Sequence, residues 1–157
     1  MTDYLLDANV LVALSDGRHI HHEAAHAWLD ALAPDDTWLT CPMTEAALIR
    51  LLMNPAVTGE PGFSAATAIE QLSAMKQWAG DRHRFLSDDT TLADPVIDRA
   101  MVERSLVGYS QVTDFHLLNL ASRHKVKLAT LDRKLGAALP AEVSITVHII
   151  PASLAEN

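Results

Sequence analysis

Short apolar runs alternate along this chain with longer stretches in which apolar residues return every three or four positions. YLLDA (4–8), TWLTC (37–41), HRFLSDD (83–89), VKLATLD (126–132) and ITVHII (145–150) are the short runs, and each predicts a strand, the fourth ending in a turn. Between them lie helical patterns. NVLVALSD (9–16) follows the first strand, and HHEAAHAWLDAL (21–32) puts Ala25, Trp28, Leu29 and Leu32 on one stripe. PMTEAALIRLLM (42–53) opens on a proline and stops at Asn54-Pro55, and SAATAIEQLSAMKQWA (64–79) ends at Gly80. DPVIDRAMVERSL (94–106), with Pro95 in its first turn, and TDFHLLNLASRHK (113–125) are the last two expected helices, while NPAVTGEPG (54–62) is the clearest loop. Strands alternating with helices predict an α/β domain whose central sheet is mostly parallel and flanked by helices. No repeat or low-complexity tract divides the chain, so a single domain over 1–157 is expected.

Composition narrows the class. Hydrophobic residues at 49% and charged residues at 20% belong to a globular chain with a full core. No apolar run approaches the roughly 20 residues that span a bilayer. One cysteine, Cys41, permits no internal disulfide, and the start MTDYLLDAN has neither the basic residues nor the cleavage site of a secretory signal. A reducing cytoplasm is the expected compartment. The net charge of −8 argues against phosphate binding, but half of the twelve Lys and Arg residues fall between Arg104 and Lys134. A local basic rim on an acidic protein is therefore possible, as is an ordinary solvated face.

The first strand carries an anomaly. YLLDANVLVAL (4–14) is apolar except for Asp7 and Asn9, and a carboxylate inside such a run needs a cation or hydrogen bonds to offset its burial. In parallel sheets ligands sit beyond the carboxyl ends of the strands, where Asp7 falls. Glu45 and Asp114 occupy first helical turns, and Asp132 directly follows KLATL. Each acid alone is explained by capping or by the helix dipole. Together, four carboxylates meeting at one sheet end would repel one another and raise their own pKa values unless a cation lay among them. Hard ions such as Mg²⁺ or Mn²⁺ take oxygen ligands of this kind.

LLDANVLVAL, TEAALIRLL, VTDFHLLNLA and LATLDRKL, in that order, resemble the PIN domain, and more narrowly the VapC-type toxin ribonucleases of bacterial toxin–antitoxin pairs. HHEAAHAWL is similar to the second helix of that subfamily, and the resemblance covers essentially the whole chain. It implies a metal-dependent endoribonuclease, active with one or two Mg²⁺ or Mn²⁺ ions, that forms a homodimer and is neutralised by a cognate VapB-type antitoxin. Its acidic site maps onto Asp7, Glu45, Asp114 and Asp132, with Asn9, Thr44, Thr113 and Thr130 as small polar companions. Asp7 and Asp114 would hold the first ion, with Glu45 and Asp132 binding a second or orienting water. A basic side chain of the antitoxin would seat among the four acids and compete with metal.

Other features bear less. His22 and His26, four apart beside His19 and His21, lack a third ligand at a recognisable spacing and suggest a solvated cluster. His116 points away from Asp114 on a helix, Arg50 is a surface residue or a partner for a nearby acid, and Cys41 is a core thiol. Two other classes stand beside the nuclease. One is a non-catalytic interaction domain on the same fold. The other is a phosphatase of the haloacid-dehalogenase type, which needs a second Asp where this chain has Asn9.

Overall fold

The computed structural model describes residues 1–152. Five strands form one sheet in the order β3-β2-β1-β4-β5, with every pairing parallel: β1 (Asp3–Leu6), β2 (Thr37–Thr40), β3 (His83–Phe85), β4 (Lys127–Thr130) and β5 (Val147–Ile149). Strands covered on both faces need apolar side chains on both, which is why these runs lack strict alternation. Register makes the division visible. Leu5 lies opposite Leu39 on one side and Leu128 on the other. These three project into one core together with Phe115, Leu117 and Leu118. Their chain neighbours Leu6, Trp38 and Ala129 project into the opposite core with Leu11, Leu48 and Leu52.

Helices α1 (Ala8–Ser15), α2 (His22–Asp30), α3 (Pro42–Met53) and α5 (Ala65–Ala79) cover the second core, and α6 (Arg99–Ser105), α7 (Val112–His124) and α8 (Arg133–Ala138) cover the first. Local chemistry sets their starts. Pro42 opens α3 behind Cys41, whose N–H donates to the Thr44 hydroxyl at 3.0 Å. The Ser64 hydroxyl accepts from Thr67 N–H at the head of α5. The Asp98 carboxylate accepts from Ala100 and Met101 at the head of α6.

Several boundaries depart from expectation for identifiable reasons. The helix expected over 94–106 begins only at Arg99, because the Asn119 carboxamide, wholly buried, accepts the N–H groups of Val96 (2.7 Å) and Ile97 (3.3 Å) and holds them out of a helix. The loop over 54–62 contains a short helix, α4 (Pro55–Thr58), started by Pro55 and capped by the Asn54 side chain. The strand expected over 83–89 ends at Phe85. After β4 two short helices, α8 and α9 (Ala141–Ser144), precede β5. The single domain expected over 1–157 extends past the described residues at 153–157.

The strand order has one functional consequence. From β1 the chain builds outward through β2 to β3, then returns across the sheet to β4 on the other side of β1. The crevice at the carboxyl ends of β1 and β4 is thus the point where the winding reverses, the place such sheets present to ligands.

Candidate active site

Asp7 immediately follows β1 in that crevice, with its N–H donating to Ala129 O on β4 at 2.9 Å. It stands at the N-cap position of α1 but makes no capping hydrogen bond with its side chain. Oδ2 instead accepts from the Thr130 hydroxyl at 2.7 Å. That hydroxyl is saturated, since it also accepts from Asn9 Nδ2 at 3.0 Å and from Asp132 N–H at 3.1 Å. Asn9 Oδ1 accepts from Leu131 N–H at 3.2 Å. Asn9 and Thr130 therefore stitch the turn after β4 to the turn after β1 and fix the distance between Asp7 and Asp132.

The electrostatics of the crevice are those of carboxylates short of cations. Asp7 is 7% exposed, and burial pushes its carboxyl above the usual range, against the pull of the Thr130 hydroxyl and the Ala8 and Asn9 N–H groups, with the Asp132 charge adding to the rise. Asp114, in the first turn of α7, is pushed up to about 6, first by burial and then by the charges of Asp7 and Asp132. The Asp114 carboxylate accepts no hydrogen bond from the described residues. Asp132 caps α8 by accepting from Lys134 N–H at 2.9 Å. The structure thus brings three of the four expected acids within one another's fields.

Glu45 is engaged on the β2 side. Its Oε1 accepts from the Thr40 hydroxyl at 2.6 Å and from the Lys76 ammonium at 2.7 Å. Because Thr40 spends its one proton on Glu45, His83 Nε2, 2.8 Å from the same oxygen, must be the donor there. Burial, then the Lys76 charge, lowers the His83 pKa, so the ring is held neutral. This acid already has an internal cation, whereas among the described residues Asp7 and Asp114 have none.

The remaining expectations divide. Thr44 is wholly buried and spends its hydroxyl on the Cys41 carbonyl at 3.1 Å, which is work for the α3 cap. Thr113 is exposed and, with Arg50, lines an open cavity of about 540 Å³. His116 Nε2 lies 2.8 Å from Asp88, fastening α7 to the segment after β3. His22 and His26, expected to be solvated, are half-buried and cap the carboxyl end of α1, with ring nitrogens 2.7 and 3.0 Å from the carbonyls of Ala13 and Leu14. Cys41 is a buried free thiol. Thr40, Lys76 and His83 were not singled out from sequence. Thr40 alone left a signal: TWLT and KLAT both end an apolar strand on a threonine, and each threonine donates to an acid.

These carboxylates suit a hard divalent ion held in part by water. Among the described residues no three His, Cys, Asp or Glu side chains lie close enough to grip an ion unaided. Mg²⁺ does not require it, since it keeps several waters and takes one or two carboxylates. The donor set supports that mode: oxygen ligands only, one carboxylate without a protein donor, and mutual repulsion that a cation would relieve. Relieving it by mutation has a definite sign. The Asp114 carboxyl titrates at about 6 folded, against 3.8 as its ordinary value, so its contribution favours folding fully below 3.8 and is lost as pH rises through about 6. Metal-free Asp114→Asn is therefore expected to melt above the parent at pH 7.5, by about 2–4 °C for about 1 kcal/mol after allowance for solvent screening. Calorimetric scans from pH 7.5 to 4 should show that gap closing.

Residues 4–138 match the PIN domain. Ribonuclease VapC38 of Mycobacterium tuberculosis is 44% identical over 128 residues, covering 82% of this chain and 84% of that protein. Ribonuclease VapC29 of the same species is 40% identical over 143 residues, covering 91% of this chain and 95% of that one. Among solved structures, VapBC2 from Rickettsia felis, bound to a DNA fragment from its promoter, superposes with a TM-score of 0.66 at 14% identity, over 94% of this chain and 98% of that chain. VapC20 of Mycobacterium tuberculosis, described as a sarcin-ricin-loop-cleaving toxin, gives 0.58 at 15% identity, over 86% of this chain and 94% of that chain. With a family match over most of its length and VapC ribonucleases 40–44% identical to it, this chain belongs to the PIN-domain family, in the branch of the VapC ribonucleases.

Proposed function

We propose that the protein is an endoribonuclease toxin that hydrolyses RNA phosphodiester bonds at the crevice between β1 and β4, using a divalent ion held by Asp7 and Asp114 with Asp132 and Glu45 at its margins. The observation that carries this reading is the triad of Asp7, Asp114 and Asp132: burial, then the charges of Asp7 and Asp132, pushes the Asp114 carboxyl up to about 6, and among the described residues no cation pairs with Asp7 or Asp114. A bound Mg²⁺ or Mn²⁺ would activate water and offset phosphate charge. The protein's own part is positional. Thr130 and Asn9 fix Asp7 against the turn that carries Asp132, and the start of α7 delivers Asp114. Lys76 and Thr40 hold Glu45 in one orientation, 17% exposed at its side chain. As the Asp114 carboxyl is pushed up to about 6, metal affinity should weaken as pH falls through that value.

The ribonuclease names of relatives at 40–44% identity support the reaction class. The VapBC2 likeness supports the fold on which we place a VapB-type antitoxin, and we assign this chain such a partner together with a homodimeric state. No described helix is long and apolar enough to cross a membrane. The test is a cleavage assay on single-stranded and structured RNAs. Cleavage that stops in EDTA and resumes with Mg²⁺ or Mn²⁺ fits the proposal. Cleavage that ignores EDTA would take the metal out of the reaction, and no cleavage under any ion favours a PIN-fold interaction domain instead.

A further inference from the structure

Beside the triad opens a cavity of about 520 Å³ lined by Asp114 and Asp132 together with Val107, Gly108, Gln111 and Lys134. Such a volume falls in the range of small-ligand sites. Three observations indicate what it takes. First, the six residues before Thr113 expose large apolar side chains without cover: Val107 at 85%, Tyr109 at 94% and Val112 at 44%. Tyr109 is flanked in the chain by the lining residues Gly108 and Ser110. Second, Gln111 is pinned by its oxygen, which accepts from Val107 and Gly108 N–H at 3.0 and 3.1 Å, so its orientation is set and both amide N–H donors remain unspent among the described residues. Third, the Lys134 ammonium, at an exposed position, forms no ion pair among the described residues. An uncovered aromatic ring next in the chain to the cavity wall, with a fixed pair of donors and an unspent cation on that wall, matches the three parts of a nucleotide: base face, base edge and phosphate.

We infer that this cavity is the subsite for a nucleotide next to the cleaved bond, with Tyr109 stacking on its base, Gln111 donating to an acceptor on the base edge and Lys134 meeting a neighbouring phosphate. The inference rests on the ribonuclease reading and adds to it the residues that set sequence preference. A single-stranded nucleotide uses all three features. Because adenine and cytosine present an amino donor where guanine and uracil present a carbonyl, the two amino bases are disfavoured in this subsite.

Two measurements on the full chain separate this inference from the reaction itself. In the first, a randomised single-stranded RNA pool is cleaved with Mg²⁺ and the product ends are sequenced. The parent should discriminate against adenine and cytosine at one position beside the cut. Gln111→Glu keeps the oxygen that the loop needs but loses the donors, so it should shift preference about tenfold towards adenine and cytosine, whose amino groups can donate to it. Lys134→Met should lower the salt slope of binding by about one phosphate without changing preference. In the second, an RNA oligomer carrying 2-aminopurine is titrated with the Asp7→Asn protein. Stacking should quench its fluorescence, and adding Tyr109→Ala should remove the quench and weaken binding about tenfold. No cleavage by the parent, with quenching intact, overturns the ribonuclease reading and leaves the subsite standing. Unchanged preference in Gln111→Glu together with unchanged quenching in Tyr109→Ala overturns the subsite and leaves the ribonuclease. A loss of dimer in Tyr109→Ala by light scattering, with quenching unchanged, assigns this face to a second copy and also overturns it.

Discussion

Asp7→Asn is expected to lower RNA cleavage by at least about a thousandfold while leaving the fold intact. Losing the ionised ligand forfeits several kcal/mol of charge stabilisation at the reacting phosphate, and each 1.36 kcal/mol is a tenfold change in rate. The fold should survive because the amide oxygen can still accept from the Thr130 hydroxyl, which now sits 2.7 Å from Oδ2. Asp7 is 7% exposed and its carboxyl is held above the ordinary range by burial, with Asp132 adding to the rise, so removing its charge relieves a cost. Metal-free Asp7→Asn should therefore melt at or above the parent temperature. Unaltered Mg²⁺-dependent cleavage would remove Asp7 from the site. An unfolded variant would make Asp7 a structural residue of the β1–α1 turn.

Thr130→Val should have the largest effect on stability among changes that preserve shape. Thr130 is wholly buried, and its hydroxyl answers three groups at once: Asp7 Oδ2, Asn9 Nδ2 and Asp132 N–H. Valine fills the space and satisfies none of them. Buried polar groups left without partners cost about 1–3 kcal/mol each, and partial relaxation towards water puts the expected total at about 2–4 kcal/mol. For a chain of this size that is a fall of about 5–15 °C in Tm. Cleavage should fall as well, because the stitch between the two turns that carry Asp7 and Asp132 is cut. Thr130→Ser, which keeps the hydroxyl, should recover most of both losses. Parent-like melting of Thr130→Val would show that the hydroxyl is replaceable and that the spacing of the acids is set by the backbone alone.

How much of this could be foreseen follows from which interactions are local. The parallel sheet could, because YLLDA, TWLTC and KLATL are short apolar runs separated by helical spacing, and both faces of such strands must be covered. The α3 start at Pro42 and its end before Asn54-Pro55 could, because both signals lie within a turn of the boundary. The start of α6 could not, since it depends on Asn119, more than twenty residues away, taking the N–H groups of Val96 and Ile97. The acids were visible as charges out of place in apolar settings. Their states were not: nothing near Glu45 in the chain announces Lys76, thirty-one residues on, and nothing near Asp114 announces the fields of Asp7 and Asp132. Helical periodicity marked the pair His22 and His26, but only the packing of α2 on the end of α1 shows that their ring nitrogens are spent on Ala13 and Leu14.

The most direct measurement is a crystal grown with Mn²⁺ and an anomalous difference map collected from it. A peak at the carboxyl ends of β1 and β4, within ligand distance of Asp7 and Asp114 and absent in Asp114→Asn crystals, is the predicted result. A map with no peak there at saturating Mn²⁺, or with its only peak at the histidines near the end of α1, would contradict it.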